Sequence, residues 1–132
     1  MAKSFIKVLI VDDRAAVRES LRTILSLEED FEVVGEASSG REAVKQAQEL
    51  RPHVVLMDLE MPDIYGEPFD GIVACEKIKQ EKLAGAVVIL TVHADQASRQ
   101  RANEAGSDLF LEKGINSFEL LSRLRDLGNS QS

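Results

Sequence analysis

The chain has 132 residues, 44% of them hydrophobic and 30% charged, with a single cysteine and no tryptophan. A chain of this length buries about two-thirds of the surface its unfolded form exposes, so one domain with its own core is expected, without the help of a metal or disulfide. The 16 Lys and Arg against 23 Asp and Glu leave a formal charge of −7, a surface that repels phosphate backbones and anionic lipid and so argues against direct nucleic-acid or membrane binding. Cys75 alone cannot build a disulfide framework, and no uncharged stretch reaches membrane-spanning length, which predicts a reducing, cytoplasmic setting.

Lys7 to Val11 is a nearly continuous apolar run, the pattern of a parallel strand covered on both faces, and it stops at Asp12-Asp13. From Arg14 to Leu27, Val17, Leu21, Ile24 and Leu25 recur at helical spacing with charge opposite, which predicts an amphipathic helix. Phe31 to Ala37 reads as a second strand. Ser38-Ser39-Gly40 then offers N-cap chemistry to a helix carrying Ala43, Val44, Ala47 and Leu50 and closed by Pro52. His53 to Met57 repeats the pattern of the first strand and ends in Asp58. Beyond a turn-rich stretch, Phe69 to Gln80 predicts a helix with Ile72, Cys75 and Ile78 on one face, and Ala86 to Leu90 a buried strand ending in Thr91. The next helix, 94–105, has only Ala94, Ala97, Ala102 and Ala105 as an apolar stripe, interrupted by Arg101, so little area holds it in place. Leu109 to Leu111 forms the last strand and leads into Glu112 and Lys113. Asn116-Ser117-Phe118-Glu119 looks like a capping box for a closing helix, 117–127, with Leu120, Leu121, Leu124 and Leu127. A domain over 1–128 and a polar tail over 129–132 are expected.

Strands alternating with helices through short connections predict an α/β fold, a doubly wound five-stranded parallel sheet. Ligands of such sheets bind outside the carboxyl ends of the strands. That edge collects Asp12, Asp13, Asp58, Thr91 and Lys113. Taken singly each has an ordinary explanation: an Asp pair after a strand is commonly a solvated turn, a strand-end Thr a β-branched filler, an edge Lys a solubilising charge. Together they are a site. Three converging carboxylates repel one another unless a cation joins them, and Mg²⁺, hard and content with carboxylate and water oxygens, suits them best. A hydroxyl and an ammonium across the pocket would serve the oxygens of a transferred phosphoryl group.

The segments Val8-Leu9-Ile10-Val11-Asp12-Asp13, Val54-Val55-Leu56-Met57-Asp58-Leu59-Glu60-Met61-Pro62, Ile89-Leu90-Thr91 and Phe110-Leu111-Glu112-Lys113 closely resemble the response-regulator receiver domains of two-component signalling, over essentially the whole chain. The resemblance implies a flavodoxin-like strand order 2-1-3-4-5. It implies that Asp58 accepts a phosphoryl group from a sensor histidine kinase or a phosphotransfer protein. Asp13, Asp58 and the main-chain carbonyl of Glu60 would hold Mg²⁺, with Asp12 acting through water, and Thr91 and Lys113 would meet the phosphoryl oxygens. Phe110 occupies the family's switch-aromatic position, with a plain core Phe as the alternative. The phosphoryl charge, satisfied only if Thr91 and Lys113 close on it, makes the thinly held helix 94–105 the natural element to shift. The output surface is therefore expected on helix 94–105, strand 109–112 and helix 117–127, with dimerisation as one outcome.

Three departures stand out. Gly114 follows Lys113 where receivers usually have Pro, often after a cis bond; a cis bond before a non-proline residue costs about 3 kcal/mol, so a trans or more mobile loop is expected. Pro68 spoils a helix start at Gly66 and favours Gly71, which implies an insertion within 63–68. Glu60 and His93 lie two residues beyond Asp58 and Thr91, positions that, by the resemblance, flank the path of an attacking water. His53 and Cys75 read as structural. The competing functions are an aspartate-nucleophile phosphohydrolase, disfavoured by the lack of Asp-x-Asp after the first strand, and a phosphorylation-independent binding module. The stretch Val34 to Ala43 resembles receivers that precede helix-turn-helix transcription domains, so a stand-alone regulator and a receiver cut from a longer one both stay open.

Overall fold

A computed structural model describes residues 5–59, 61 and 70–129. Its elements follow in strict alternation: β1 (Ile6–Val11), α1 (Ala15–Ser26), β2 (Phe31–Ala37), α2 (Gly40–Leu50), β3 (Val54–Met57), α3 (Gly71–Gln80), β4 (Ala86–Thr91), α4 (Gln96–Glu104), β5 (Leu109–Glu112) and α5 (Ser117–Asn129). The sheet has five strands in the order β2-β1-β3-β4-β5, all pairs parallel, as the resemblance implied.

Side-chain alternation along the strands divides the core into two layers. Val8, Ile10, Val54, Leu56, Val88 and Leu90 face α1 and α5, where Leu21, Leu25, Leu120, Leu121 and Leu124 meet them. Leu9, Val11, Val55, Met57, Val87 and Ile89 face the other way, against Ala43, Val44 and Ala47 of α2, Ala74, Cys75 and Ile78 of α3, and Ala102. This two-sided burial is why β1, β3 and β4 read as unbroken apolar runs. β2 slips register against β1: Val8 pairs Val33 but Leu9 pairs Gly35, a bulge that no local pattern announced.

Every helix but α1, which has no side-chain cap at Arg14, starts behind a capping side chain. Ser39 accepts from the Glu42 N–H at 3.2 Å, and Asp70 from those of Ile72 and Val73 at 3.1 and 3.2 Å. Asn116 accepts from Phe118 at 2.8 Å, while Glu119 turns to Arg123 at 4.0 Å. α4 begins later than expected, because Asp95 caps it through the Ser98 N–H at 3.1 Å. Its apolar stripe is also thinner than expected: within the helix only Ala102 is buried, and Ala97 is exposed. α5 runs on through Gly128 and Asn129, so Asn129 is helical rather than part of a tail; Gly128 lies so close to Ile6 that a Cβ there would come within 2.7 Å of its side chain. The peptide bonds of the described residues are all trans, including Lys113–Gly114, and Gly114 takes φ +97°, which suits glycine. Glu60 and the 63–68 insertion lie outside the described residues.

Candidate functional site

Strand register builds the site. Val11 pairs with Met57, so the next residue of each strand, Asp12 and Asp58, emerge side by side at the carboxyl edge. Thr91 pairs with Glu112 at the end of the β4–β5 ladder, and the Lys113 N–H donates to the Thr91 carbonyl at 2.9 Å, which turns the lysine back over the same edge.

The carboxylates converge as the sequence predicts: Asp12, Asp13 and Asp58 each place an oxygen within 4.8 Å of the others. Asp12 and Asp58 are buried at 2% and 7% exposure, whereas Asp13 is exposed and faces solvent entry. The Lys113 ammonium bridges the buried pair, 2.8 Å from Asp12 Oδ2 and 3.2 Å from Asp58 Oδ2. Burial pulls the Lys113 ammonium toward deprotonation, but its hydrogen bond to Asp12 and the charges of Asp58 and Asp12 outweigh that and hold its pKa above the ordinary lysine value. The other oxygens are held by main-chain donors: Asp12 Oδ1 accepts from Arg14 at 2.9 Å and Asp58 Oδ1 from Leu59 at 2.7 Å.

Thr91 is fully buried, and its Oγ1 accepts from the His93 N–H at 3.2 Å. It therefore stands at the site's edge with its hydroxyl engaged locally. Phe110 is half-buried on β5, packed against the core layer of Met57 and Ile89, and the Arg99 guanidinium of α4 lies over its ring, 4.7 Å from the centroid. His53 accepts from the Lys7 N–H at 2.9 Å, a strand-pairing role. Cys75 packs in the core against the Ala105 carbonyl, and burial pushes its thiol up to about 12.

Two contributors to the site lay outside the sequence reading. Gly71 donates its N–H to the Leu59 carbonyl at 2.7 Å, and a Cβ there would collide with the Asp58 carbonyl oxygen and come within 2.8 Å of Leu59 Cα, so α3 packs its first turn against the backbone of Asp58. Arg18 reaches back from α1 to donate to the Asp12 carbonyl at 2.7 Å. A positive charge four residues into a helix otherwise reads as a solvated face.

A doubly wound parallel sheet whose carboxyl edge gathers three carboxylates and a lysine belongs to the class of α/β domains that bind ligands at strand ends. The chain belongs to the response regulator receiver domain family, which it matches over residues 8–125. It is 36% identical over 127 residues to the response regulator protein VraR of Staphylococcus saprophyticus, covering 96% of this chain and 58% of that protein. It thus spans little more than half the length of this curated relative. Among solved structures it resembles the response regulator domain of CheB from Thermotoga maritima, with 33% identity, TM-score 0.83 and 95% and 97% of the two chains covered. The receiver domain of NarL from Mycobacterium tuberculosis gives 26% identity and TM-score 0.86, with 96% and 98% covered.

Proposed function

We propose that this receiver accepts a phosphoryl group on Asp58 from the phosphohistidine of a sensor histidine kinase or phosphotransfer protein, and that Mg²⁺ is required. The observation that carries this reading is the buried Asp58 carboxylate, beside Asp12 and Asp13 and facing the Lys113 ammonium. The donor set fits the cation: three hard carboxylates against one ammonium leave excess negative charge, and Asp13 among them is exposed. Asp13, Asp58 and the Glu60 carbonyl are the direct ligands in this reading, with Asp12 acting through water. Bound there, Mg²⁺ would neutralise phosphoryl charge as the group arrives.

In the transfer an Asp58 carboxylate oxygen attacks phosphorus, the N–P bond to histidine breaks, and an acyl phosphate remains on Asp58 while the imidazole regains a proton. Lys113, already within 3.2 Å of Asp58, moves with little travel from the carboxylate to a phosphoryl oxygen. Thr91 accepts from the His93 N–H, which leaves its hydroxyl hydrogen to donate to a phosphoryl oxygen, so closing on that group carries the start of the β4–α4 connection with it. α4 is the element free to follow, since it buries only Ala102, and Phe110 beneath Arg99 is the side chain whose rotation would accompany it. The α4, β5 and α5 surface then engages an output domain or protein, with self-association as one result. The likeness of Val34 to Ala43 to receivers that precede helix-turn-helix transcription domains supports a role in transcriptional control, through a separate DNA-binding segment rather than this acidic domain. No helix of the described residues is long and apolar enough to cross a membrane, which accords with action in the cytoplasm. The domain works as a switch rather than a turnover enzyme, and slow hydrolysis of the acyl phosphate, past Glu60 and His93, resets it.

The test is intact mass after incubation with acetyl phosphate. A phosphoryl adduct that needs Mg²⁺ and is lost in Asp58→Asn is expected; an adduct of equal yield in that variant, or none in the folded wild type, overturns the proposal.

A further inference from the structure

The three carboxylates are not equally anchored. Asp12 has Lys113 and the Arg14 N–H on its two oxygens, and Asp58 has Lys113 and the Leu59 N–H. Asp13 is exposed, the second residue beyond β1. What fixes its location is the peptide unit that precedes it. The carbonyl of that unit belongs to Asp12, and Arg18 Nη1 donates to it at 2.7 Å. A peptide is planar, so holding its oxygen sets the direction in which the chain leaves for the Asp13 Cα.

Arg18 is itself held. Its Nε lies 3.2 Å from Glu36 Oε1, and the second Glu36 oxygen is 2.6 Å from Arg22 Nε. Glu36 sits in β2, in register with Ile10 of β1, so the anchor is the sheet. The Arg18 side chain is only 19% exposed, and its fork geometry allows it to grip a carboxylate and a carbonyl at once. The chain of contacts runs from β2 through Glu36 and Arg18 to the Asp12–Asp13 peptide.

We propose that Arg18 is a positioning residue for the cation site, acting through the Asp12–Asp13 peptide to hold the exposed Asp13 carboxylate where it completes the three-carboxylate set. The inference rests on the reading that this cluster binds a divalent cation. Partners beyond the direct ligands typically control about 10- to 100-fold in metal affinity. Because the Arg18 guanidinium is engaged by Glu36 and the Asp12 carbonyl rather than by the Asp58 carboxylate, its loss is expected to act on cation binding and leave the transfer step intact.

The experiment titrates the full chain with MgCl₂, following amide NMR shifts of the β1–α1 loop, and separately measures the rate of phosphorylation by acetyl phosphate at saturating Mg²⁺. Arg18→Met is expected to weaken Mg²⁺ binding about 10-fold while the saturated rate stays within about twofold of wild type, the split that marks lost binding rather than lost chemistry. Glu36→Gln leaves the Arg18–carbonyl bond but loosens its anchor, and is expected to weaken Mg²⁺ binding by a smaller factor, about threefold. Wild-type Mg²⁺ affinity in a folded Arg18→Met overturns the proposal, as does a saturated rate that falls as far as the affinity. If Arg18→Met does not fold, Arg18→Lys, whose ammonium cannot grip the Glu36 carboxylate and the Asp12 carbonyl at once, decides instead: weakened Mg²⁺ binding upholds the proposal and unchanged binding overturns it. Failure of the wild type to bind Mg²⁺ at all would instead refute the cation-site reading on which it rests.

Discussion

Replacing Lys113 with methionine removes the ammonium that bridges Asp12 and Asp58 while keeping a side chain of similar length. The contacts are 2.8 and 3.2 Å, between a lysine 14% exposed and carboxylates 3% and 8% exposed. At such separations, with an effective dielectric constant of about 20, each attraction is about 5 kcal/mol before desolvation is subtracted. Deleting one partner of a buried pair typically costs about 3–5 kcal/mol net. The partial exposure of Lys113 places Lys113→Met at the lower end, about 3 kcal/mol, or a fall in Tm of roughly 10 °C. Urea denaturation in EDTA measures the difference. Mg²⁺ should then stabilise the variant more than the wild type, since the cation takes over the charge the lysine balanced. The pH dependence follows from the raised Lys113 pKa. A base whose folded value lies above its unfolded value stabilises fully below the unfolded value, about 10.4 for lysine, and loses that contribution as pH rises through the folded value. The gap between wild type and Lys113→Met should therefore hold from neutral pH to about 10 and shrink above it. A variant within about 0.5 kcal/mol of wild type in EDTA, or one that gains no extra stability from Mg²⁺, refutes the reasoning.

Asp13→Asn removes one of three mutually repelling carboxylates from its exposed corner. It should stabilise the metal-free protein by about 0.5–1 kcal/mol in urea melts while weakening Mg²⁺ binding at least about 10-fold by titration. Gly71→Ala forces a Cβ onto the Asp58 carbonyl; it should cost about 3 kcal/mol by denaturant unfolding and slow phosphorylation by acetyl phosphate, because the backbone that carries Asp58 must give way. Cys75, fully buried with its thiol pushed up to about 12, should resist a thiol reagent such as DTNB at neutral pH and react at the rate of global unfolding when urea is added.

The strands and their ends were legible because the sheet is covered on both sides. A run such as Val54 to Met57 must be apolar throughout, so the polar residue that ends it, Asp58, stands out at the edge where ligands bind. Helix starts were legible where a capping residue sits beside an apolar periodicity, as at Ser39 and Asn116. α4 lacks that periodicity, and for that reason its start, expected at Ala94, falls at Gln96 behind the Asp95 cap. The β2 bulge and the Gly71 contact are products of pairing and packing between distant segments, which leave no period in the chain. Arg18 is the sharpest case: its partners are Asp12 and Glu36, from the ends of two different strands, and a single arginine on an amphipathic helix carries no mark of those contacts.

The central claim is that the Asp58 carboxylate is the phosphoryl acceptor. Borohydride reduces an acyl phosphate on aspartate to homoserine, so treating the acetyl-phosphate-labelled protein with borohydride and reading the peptides by tandem mass spectrometry locates the modified residue directly. The account predicts homoserine at position 58, formed only when Mg²⁺ was present during labelling. Homoserine at Asp12 or Asp13, or a phosphoryl group that survives borohydride on another side chain, would contradict it.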